Sequence, residues 1–200
     1  MSNNFRILTV CTGNICRSPL AKQLFLLEFQ GDDHFELDSA GTQALVGHSM
    51  PENSLRIARR IGVNDPESHR AKQLTEALID GADLVLAMDR GHRKNVVELS
   101  PRSTRKIFSV RDFARLIEVT MPADLAAEVE LAGDIPKAKL NAAVEAARLG
   151  RSDLLPLENP ADEDIVDPFG KSDQAYEDSA AQLIPAVQQI ASYFKSALEI

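Results

Sequence analysis

The apolar residues of this chain come in short runs separated by amphipathic stretches. Phe5-Arg6-Ile7-Leu8-Thr9-Val10 is an apolar run of strand length. The stretch after it predicts a helix from about Pro19 to Phe29, with proline in its first turn. Phe35–Ala40 alternates apolar and polar residues, the period of a half-buried strand. Glu52–Ile61 reads as an amphipathic helix, Leu84–Met88 as a buried strand, Arg90–Leu99 as a helix and Lys106–Val110 as a fourth strand. The last helix starts near Ser172 as N-cap. Its apolar face is Tyr176, Ala180, Leu183, Val187, Ile190, Phe194 and Leu198, at steps of three and four, and Pro185 is expected to kink it. Alternating strands and helices predict an α/β fold: three layers, with a four-stranded parallel sheet flanked by helices. In such sheets ligands sit at the carboxyl ends of the strands.

Between the fourth strand and the last helix lies Met121–Gly150, rich in Ala, Leu and Glu and punctuated by Pro122 and Pro136. It predicts two helices, roughly Ala123–Ala132 and Lys137–Leu149, with an apolar stripe of Leu140, Ala143, Val144 and Ala147. Two readings stay open. The pair is a helical decoration packed on the core, or it is a lid or partner surface near the site.

The chain has 200 residues, 44% of them hydrophobic, enough for one sizeable core. No boundary suggests a second domain, so 1–200 reads as a single unit. Lys plus Arg number 22 against 30 Asp plus Glu, a net charge of −8, which argues against general nucleic-acid or anionic-membrane binding. The groups Arg56, Arg59, Arg60 and Arg90, Arg93, Lys94 read as solvated helix faces. Two cysteines do not make a disulfide scaffold, and His34, His48, His69 and His92 show no zinc-ligand spacing. With no signal peptide and no bilayer-length apolar stretch, the expectation is a soluble, cytoplasmic protein.

The candidate chemistry sits between the first strand and the first helix, in Cys11-Thr12-Gly13-Asn14-Ile15-Cys16-Arg17-Ser18. Such a loop is an anion site because unpaired backbone N–H groups converge at a helix start. A thiol placed there becomes a nucleophile, since helix N-termini and guanidinium groups favour thiolate and bring cysteine pKa values to roughly 3.5–7.5. Gly13 and Asn14 suit a tight loop that needs positive φ. Arg17 offers a planar fork for two phosphate oxygens. Ser18 can donate to the sulfur. A bare C-x5-R is weak, but Gly-Asn inside it, Ser-Pro behind it and the strand–helix setting make it specific.

Val10-Cys11-Thr12-Gly13-Asn14-Ile15-Cys16-Arg17-Ser18-Pro19 resembles the loop of low-molecular-weight protein tyrosine phosphatases. Further matches, in the family's order, are Asp38-Ser39-Ala40-Gly41-Thr42, His69-Arg70-Ala71-Lys72-Gln73-Leu74-Thr75, Asp83-Leu84-Val85-Leu86-Ala87-Met88-Asp89 and Asp167-Pro168-Phe169-Gly170. The resemblance implies hydrolysis of phosphotyrosine proteins or aryl phosphates, with no metal or other cofactor. Cys11 would be the nucleophile that forms a phosphocysteine. Arg17 would bind the phosphoryl oxygens, within a loop of Thr12, Gly13, Asn14, Ile15, Cys16 and Ser18. Asn14, Ser18, Ser39 and His69 would hold that loop in shape. Asp167 would be the general acid, then the base that activates water. From the residues alone Asp162 and Asp164 are rivals to Asp167, because Asp-Pro is also ordinary turn chemistry. Cys16 would be a reversible disulfide partner for Cys11, and an inert buried thiol is the equal alternative.

The chain also departs from the family pattern. Family members often carry an aromatic on the pocket wall, near where Leu45 stands, and animal members have two aromatics after Asp-Pro, where this chain has Phe169 and then Gly170. The chain exceeds the usual family length of about 150 residues, with the excess at about 113–160. Three other functions fit parts of the pattern. An external-thiol arsenate reductase shares the loop. A phosphocysteine carrier would have no use for Asp167. A non-catalytic phosphotyrosine-binding module would not need the intact Cys11, Arg17 and Asp167 set.

Overall fold

The computed structural model describes residues 3–200. The elements run β1 (Phe5–Cys11), α1 (Arg17–Glu28), β2 (Phe35–Gly41), α2 (Glu52–Arg60), α3 (Glu76–Gly81), β3 (Leu84–Ala87), α4 (Arg90–Leu99), β4 (Ile107–Ser109), α5 (Val110–Val119), α6 (Pro122–Ala132), α7 (Pro136–Leu149) and α8 (Asp173–Glu199). The four strands form one parallel sheet in the order β2-β1-β3-β4.

Period-two alternation explains the three layers. Phe5 and Ile7 of β1, with Leu84 and Leu86 of β3, face a core shared with α1, α2, α5, α6, α7 and α8. Leu8, Val10 and Val85 face the opposite side, where Ile79 of α3 and Val96 of α4 cover them. Both faces are therefore buried, as in other parallel sheets with crossover helices. Phe5, Phe29, Phe35, Phe113 and Phe194 join the layers in one aromatic cluster, with Phe29 and Phe35 stacked at 3.7 Å between ring centroids.

The chain winds outward from β1 to β2 on one side, then crosses to β3 on the other. That reversal leaves a crevice at the carboxyl end of β1. The loop 12–16 fills it.

Two short helices escape the hydrophobic pattern. α3 is only six residues long. α5 begins at Val110, which the pattern assigned to the fourth strand. Ser109 ends that strand early, because its hydroxyl accepts the Asp112 N–H and caps the helix. α8 continues through Pro185 as a single helix of 27 residues. No helix among the described residues is long and apolar enough to cross a membrane.

α6 and α7 lie at the end of the sheet away from the loop. Lys137 at the start of α7 reaches the carbonyl of Asn4, just before β1, and the carboxylate of Asp83, just before β3. Leu140, Ala143, Val144 and Ala147 are buried in the main core, and Tyr193 of α8 donates to Ala143 O at 2.9 Å. The pair is thus a decoration packed against the amino ends of the strands. The lid reading fails on position. Leu140→Ala should lower unfolding stability by about 2–5 kcal/mol through the cavity it leaves. Denaturation should show that loss, while kcat/KM on an aryl phosphate stays within about twofold of wild type.

Candidate active site

Asn14 sets the shape of the loop. It is fully buried, and its φ of 54° puts it in the left-handed region. Gly13 does not share that conformation, so the expectation of positive φ at both residues holds only for Asn14. Three contacts hold Asn14. Its Nδ2 donates to Ser18 Oγ at 2.9 Å, its Oδ1 accepts the Lys72 N–H at 2.9 Å, and its carbonyl accepts from His69 Nε2 at 2.7 Å. That last bond fixes the hydrogen of His69 on Nε2, because a carbonyl only accepts.

The loop's outward carbonyls are satisfied by the segment after β2. Thr42 N donates to Cys11 O, Gln43 N to Thr12 O and Leu45 N to Gly13 O, at 2.9–3.0 Å. Among the described residues, the N–H groups of Thr12 to Cys16 donate to no backbone carbonyl. This is the arrangement an anion cradle needs. Gly41 makes the docking possible. A Cβ there would stand 2.4 Å from Thr12 O and 3.0 Å from Ala44, so no other residue fits without moving the loop. The sequence reading took Gly41 only as part of a family match. A close backbone approach of this kind leaves no local pattern.

Cys11 Sγ lies 3.0 Å from Ser18 Oγ. Ser18 also faces Ala40 O at the longer distance of 3.4 Å, which leaves its hydrogen available to the sulfur. Ser39 is buried beside Thr9 in the sheet register. Among the described residues its hydroxyl makes no hydrogen bond to the loop, and β2 contacts the loop through Ala40 instead.

Arg17 is only 4% exposed, and a buried guanidinium needs partners. It has three. Nη1 reaches Asp89 Oδ2 at 3.2 Å and Ile165 O at 3.1 Å, and Nη2 reaches Asp167 Oδ1 at 3.1 Å. Ile165 is held in turn by its N–H to Met88 O, which pins the acid-bearing segment to the end of β3. Burial pushes the Asp89 carboxyl up, but hydrogen bonds from His92 and the charge of Arg17 outweigh it and hold it at about 2. Asp89, Ile165 and His92 were not among the residues expected to build the site.

Cys11, Thr12, Gly13, Ile15, Cys16, Arg17, Gln43, Leu45, Asp167 and Phe169 line one cavity of about 170 Å³. The rivals to Asp167 lie elsewhere. Asp164 is clamped by the backbone and guanidinium of Arg90, and Asp162 bonds Asn159. A larger cavity of about 400 Å³ lies behind the loop, beside Lys22, Gln23, Asp38 and Arg70, and meets the loop network through His69 and Lys72. It holds none of the reacting groups, so the smaller cavity is the candidate active site. Cys16 is buried, and burial pushes its thiol up to about 11 against hydrogen bonds from Ser54 and Tyr176.

Residues 6–129 match the family model described as low molecular weight phosphotyrosine protein phosphatase. The chain belongs to this family. It is 38% identical over 102 residues to the low molecular weight protein-tyrosine-phosphatase Ptp of Acinetobacter johnsonii, covering 51% of this chain and 69% of that protein. It is equally close, 38% over 109 residues, to a protein-arginine-phosphatase of Geobacillus stearothermophilus, covering 54% and 71%. Among solved structures it resembles the low molecular weight protein tyrosine phosphatase from T. tengcongensis, with a TM-score of 0.65, 27% identity and coverage of 94% and 99%. The family fold thus spans nearly the whole of this longer phosphatase.

Two measurements check the loop's supports. Gly41→Ala should cost about 1–3 kcal/mol by overpacking, and the folded variant should lose activity because the loop itself must shift. An active, unshifted variant would show that the close approach is dispensable. His69 supplies a pH dependence. Burial, together with Lys22, Arg70 and Lys72, puts its pKa below the usual 6.5, despite the bond to Asn14. The unfolded chain therefore takes up that proton first on acidification. The stability contribution is complete above 6.5 and is lost as pH falls through the lower folded value. Tm should fall from pH 7 to pH 5 more steeply in wild type than in His69→Gln.

Proposed function

We propose that this phosphatase hydrolyses phosphotyrosine and aryl phosphate monoesters through a phosphocysteine on Cys11. The observation that carries the reading is the shared cavity, in which thiol, guanidinium and carboxyl face one small volume.

The chemistry runs in two steps. Arg17 and the free N–H groups of the loop hold the phosphoryl oxygens in the geometry of transfer. Cys11 Sγ attacks phosphorus as the bond to the phenolic oxygen breaks, and Asp167 gives its proton to that oxygen. Water, deprotonated by the same Asp167, then attacks the phosphocysteine, and the sulfur leaves as a thiolate that Ser18 steadies.

The walls favour an aromatic leaving group. Ile15, Leu45 and Phe169 are apolar, and Leu45 and Phe169 stand partly exposed at the mouth. The volume of about 170 Å³ is close to the about 150 Å³ that admits a benzene ring in an apolar cavity. Phosphoarginine is the second reading, raised by the arginine-phosphatase relative. A guanidinium on these walls would lose water and find one carboxylate, Asp167, which the mechanism already uses. Cys16 belongs to the proposal as a resolving thiol only where the loop opens, since burial keeps it protonated.

Turnover of p-nitrophenyl phosphate without metal should vanish in Cys11→Ser and fall about 10²–10⁴-fold in kcat in Asp167→Asn. A phosphotyrosine peptide should be cleaved faster than a phosphoarginine peptide. The reverse order would assign the pocket to phosphoarginine, and thiol-dependent arsenate reduction without hydrolysis would overturn the phosphatase reading.

A further inference from the structure

His92 is buried, lines neither cavity near the loop, and belongs to none of the groups that react. Yet it touches both halves of the phosphate-binding apparatus. Its Nε2 lies 2.7 Å from Thr12 Oγ1, on the residue next to the nucleophile. Its Nδ1 lies 2.8 Å from Asp89 Oδ2 in a bent contact, and its backbone N–H donates to Asp89 Oδ1 at 2.7 Å. The same Asp89 oxygen receives Arg17 Nη1. The groups form one chain: Thr12, His92, Asp89, Arg17.

The position of His92 follows from local structure. Asp89 is the N-cap of α4, and its side chain accepts the N–H three residues on, which is that of His92. Capping thus brings the imidazole of the first turn back over the carboxylate. β3 ends at Ala87, which pairs with Val10, and Asp89 follows two residues on, so the ring reaches the loop that leaves β1.

We infer that His92 is a positioning residue for phosphoryl binding, tying Thr12 of the loop to the Asp89–Arg17 pair so that loop and guanidinium keep a fixed spacing. Asp89 alone does not do this, because its carboxylate oxygens contact Arg17 and His92 and not Thr12. The imidazole can face both partners, with one nitrogen toward the carboxylate and the other toward the hydroxyl. Misplacing either half by a fraction of an ångström weakens a preorganised site.

The inference rests on the phosphatase reading, and the test separates the two. The variants are Thr12→Val, His92→Ala, His92→Gln and the double variant Thr12→Val/His92→Ala. The probes are p-nitrophenyl phosphate for kinetics and inorganic phosphate for binding by calorimetry. Both single removals should weaken phosphate binding and lower kcat/KM about tenfold. The double variant should be no worse than the worse single one, because both cut the same link. His92→Gln, whose amide can still reach Thr12, should recover most of the phosphate affinity. Losses that multiply in the double variant would overturn the inference, as would His92→Ala with both quantities within twofold of wild type. If His92→Ala does not fold, the same cycle is run with His92→Gln and Thr12→Val. Equal phosphate affinity in His92→Gln and the folded double variant would then overturn it. A wild-type protein that binds phosphate but turns over no aryl phosphate would instead sink the phosphatase reading.

Discussion

The site depends on one buried residue in an uncommon backbone conformation. A left-handed turn at a non-glycine residue persists only where the surroundings over-determine it. Here Asn14 is held from three directions, by Ser18 within the loop, by the Lys72 N–H and by His69. These partners come from α1 and from the segment before α3, so the loop cannot change shape without disturbing both. The turn aims the N–H groups inward, while residues 42–45 take the outward carbonyls. One residue in an uncommon conformation, held by three partners, gives a strand–helix connection the backbone arrangement an anion cradle needs.

The sheet determines where that cradle can be. β1 is paired on both sides, with β2 and β3, and the carboxyl ends of all three supply site residues: Cys11 from β1, Ala40 and Gly41 from β2, Asp89 just beyond β3. Parallel strands make this convergence automatic, because every strand ends at the same edge. The helices α6 and α7 sit at the other edge, where they can add to the core without touching the chemistry. The two ends of one sheet thus divide stability from function.

This division explains what the sequence made legible. The eight-residue loop is contiguous, and its residue types state their chemistry directly, so its strand–helix setting and the identities of Cys11, Arg17 and Ser18 could be read from the chain. The four strands announced themselves by apolar runs of the right length. The partners of Arg17 did not. Asp89 lies 72 residues from it and Ile165 contributes a carbonyl from 148 residues away. A carbonyl has no sequence signature at all. His92 was read with the other histidines for metal spacing and set aside, since its relation to Thr12 exists only once β3 lies beside β1. Ser39 is a different case: a hydroxyl of the expected type lies in β2, and the contact from Ser18 runs to the carbonyl of its neighbour Ala40.

Arg17 carries the electrostatic argument to its end. It is almost wholly buried and sits among two carboxylates and a carbonyl. Removing such a guanidinium's partners would leave a charge in a poor dielectric, and Asp89 and Asp167 satisfy it. The two carboxylates are not equivalent. Asp89 is shared with His92 and stays ionised well below neutral pH, so it is a fixed counter-charge. Asp167 is half exposed on a segment that ends at Phe169 and Gly170, and is the partner free to leave. Arg17 and Asp167 line the same cavity, so an anion placed there would meet the same guanidinium. Of the two carboxylates, Asp167 is the one such an anion would compete with, because it lines that cavity and Asp89 does not. The two ion pairs thus hold the guanidinium from different sides, Asp89 from the more buried one and Asp167 from the wall of the cavity.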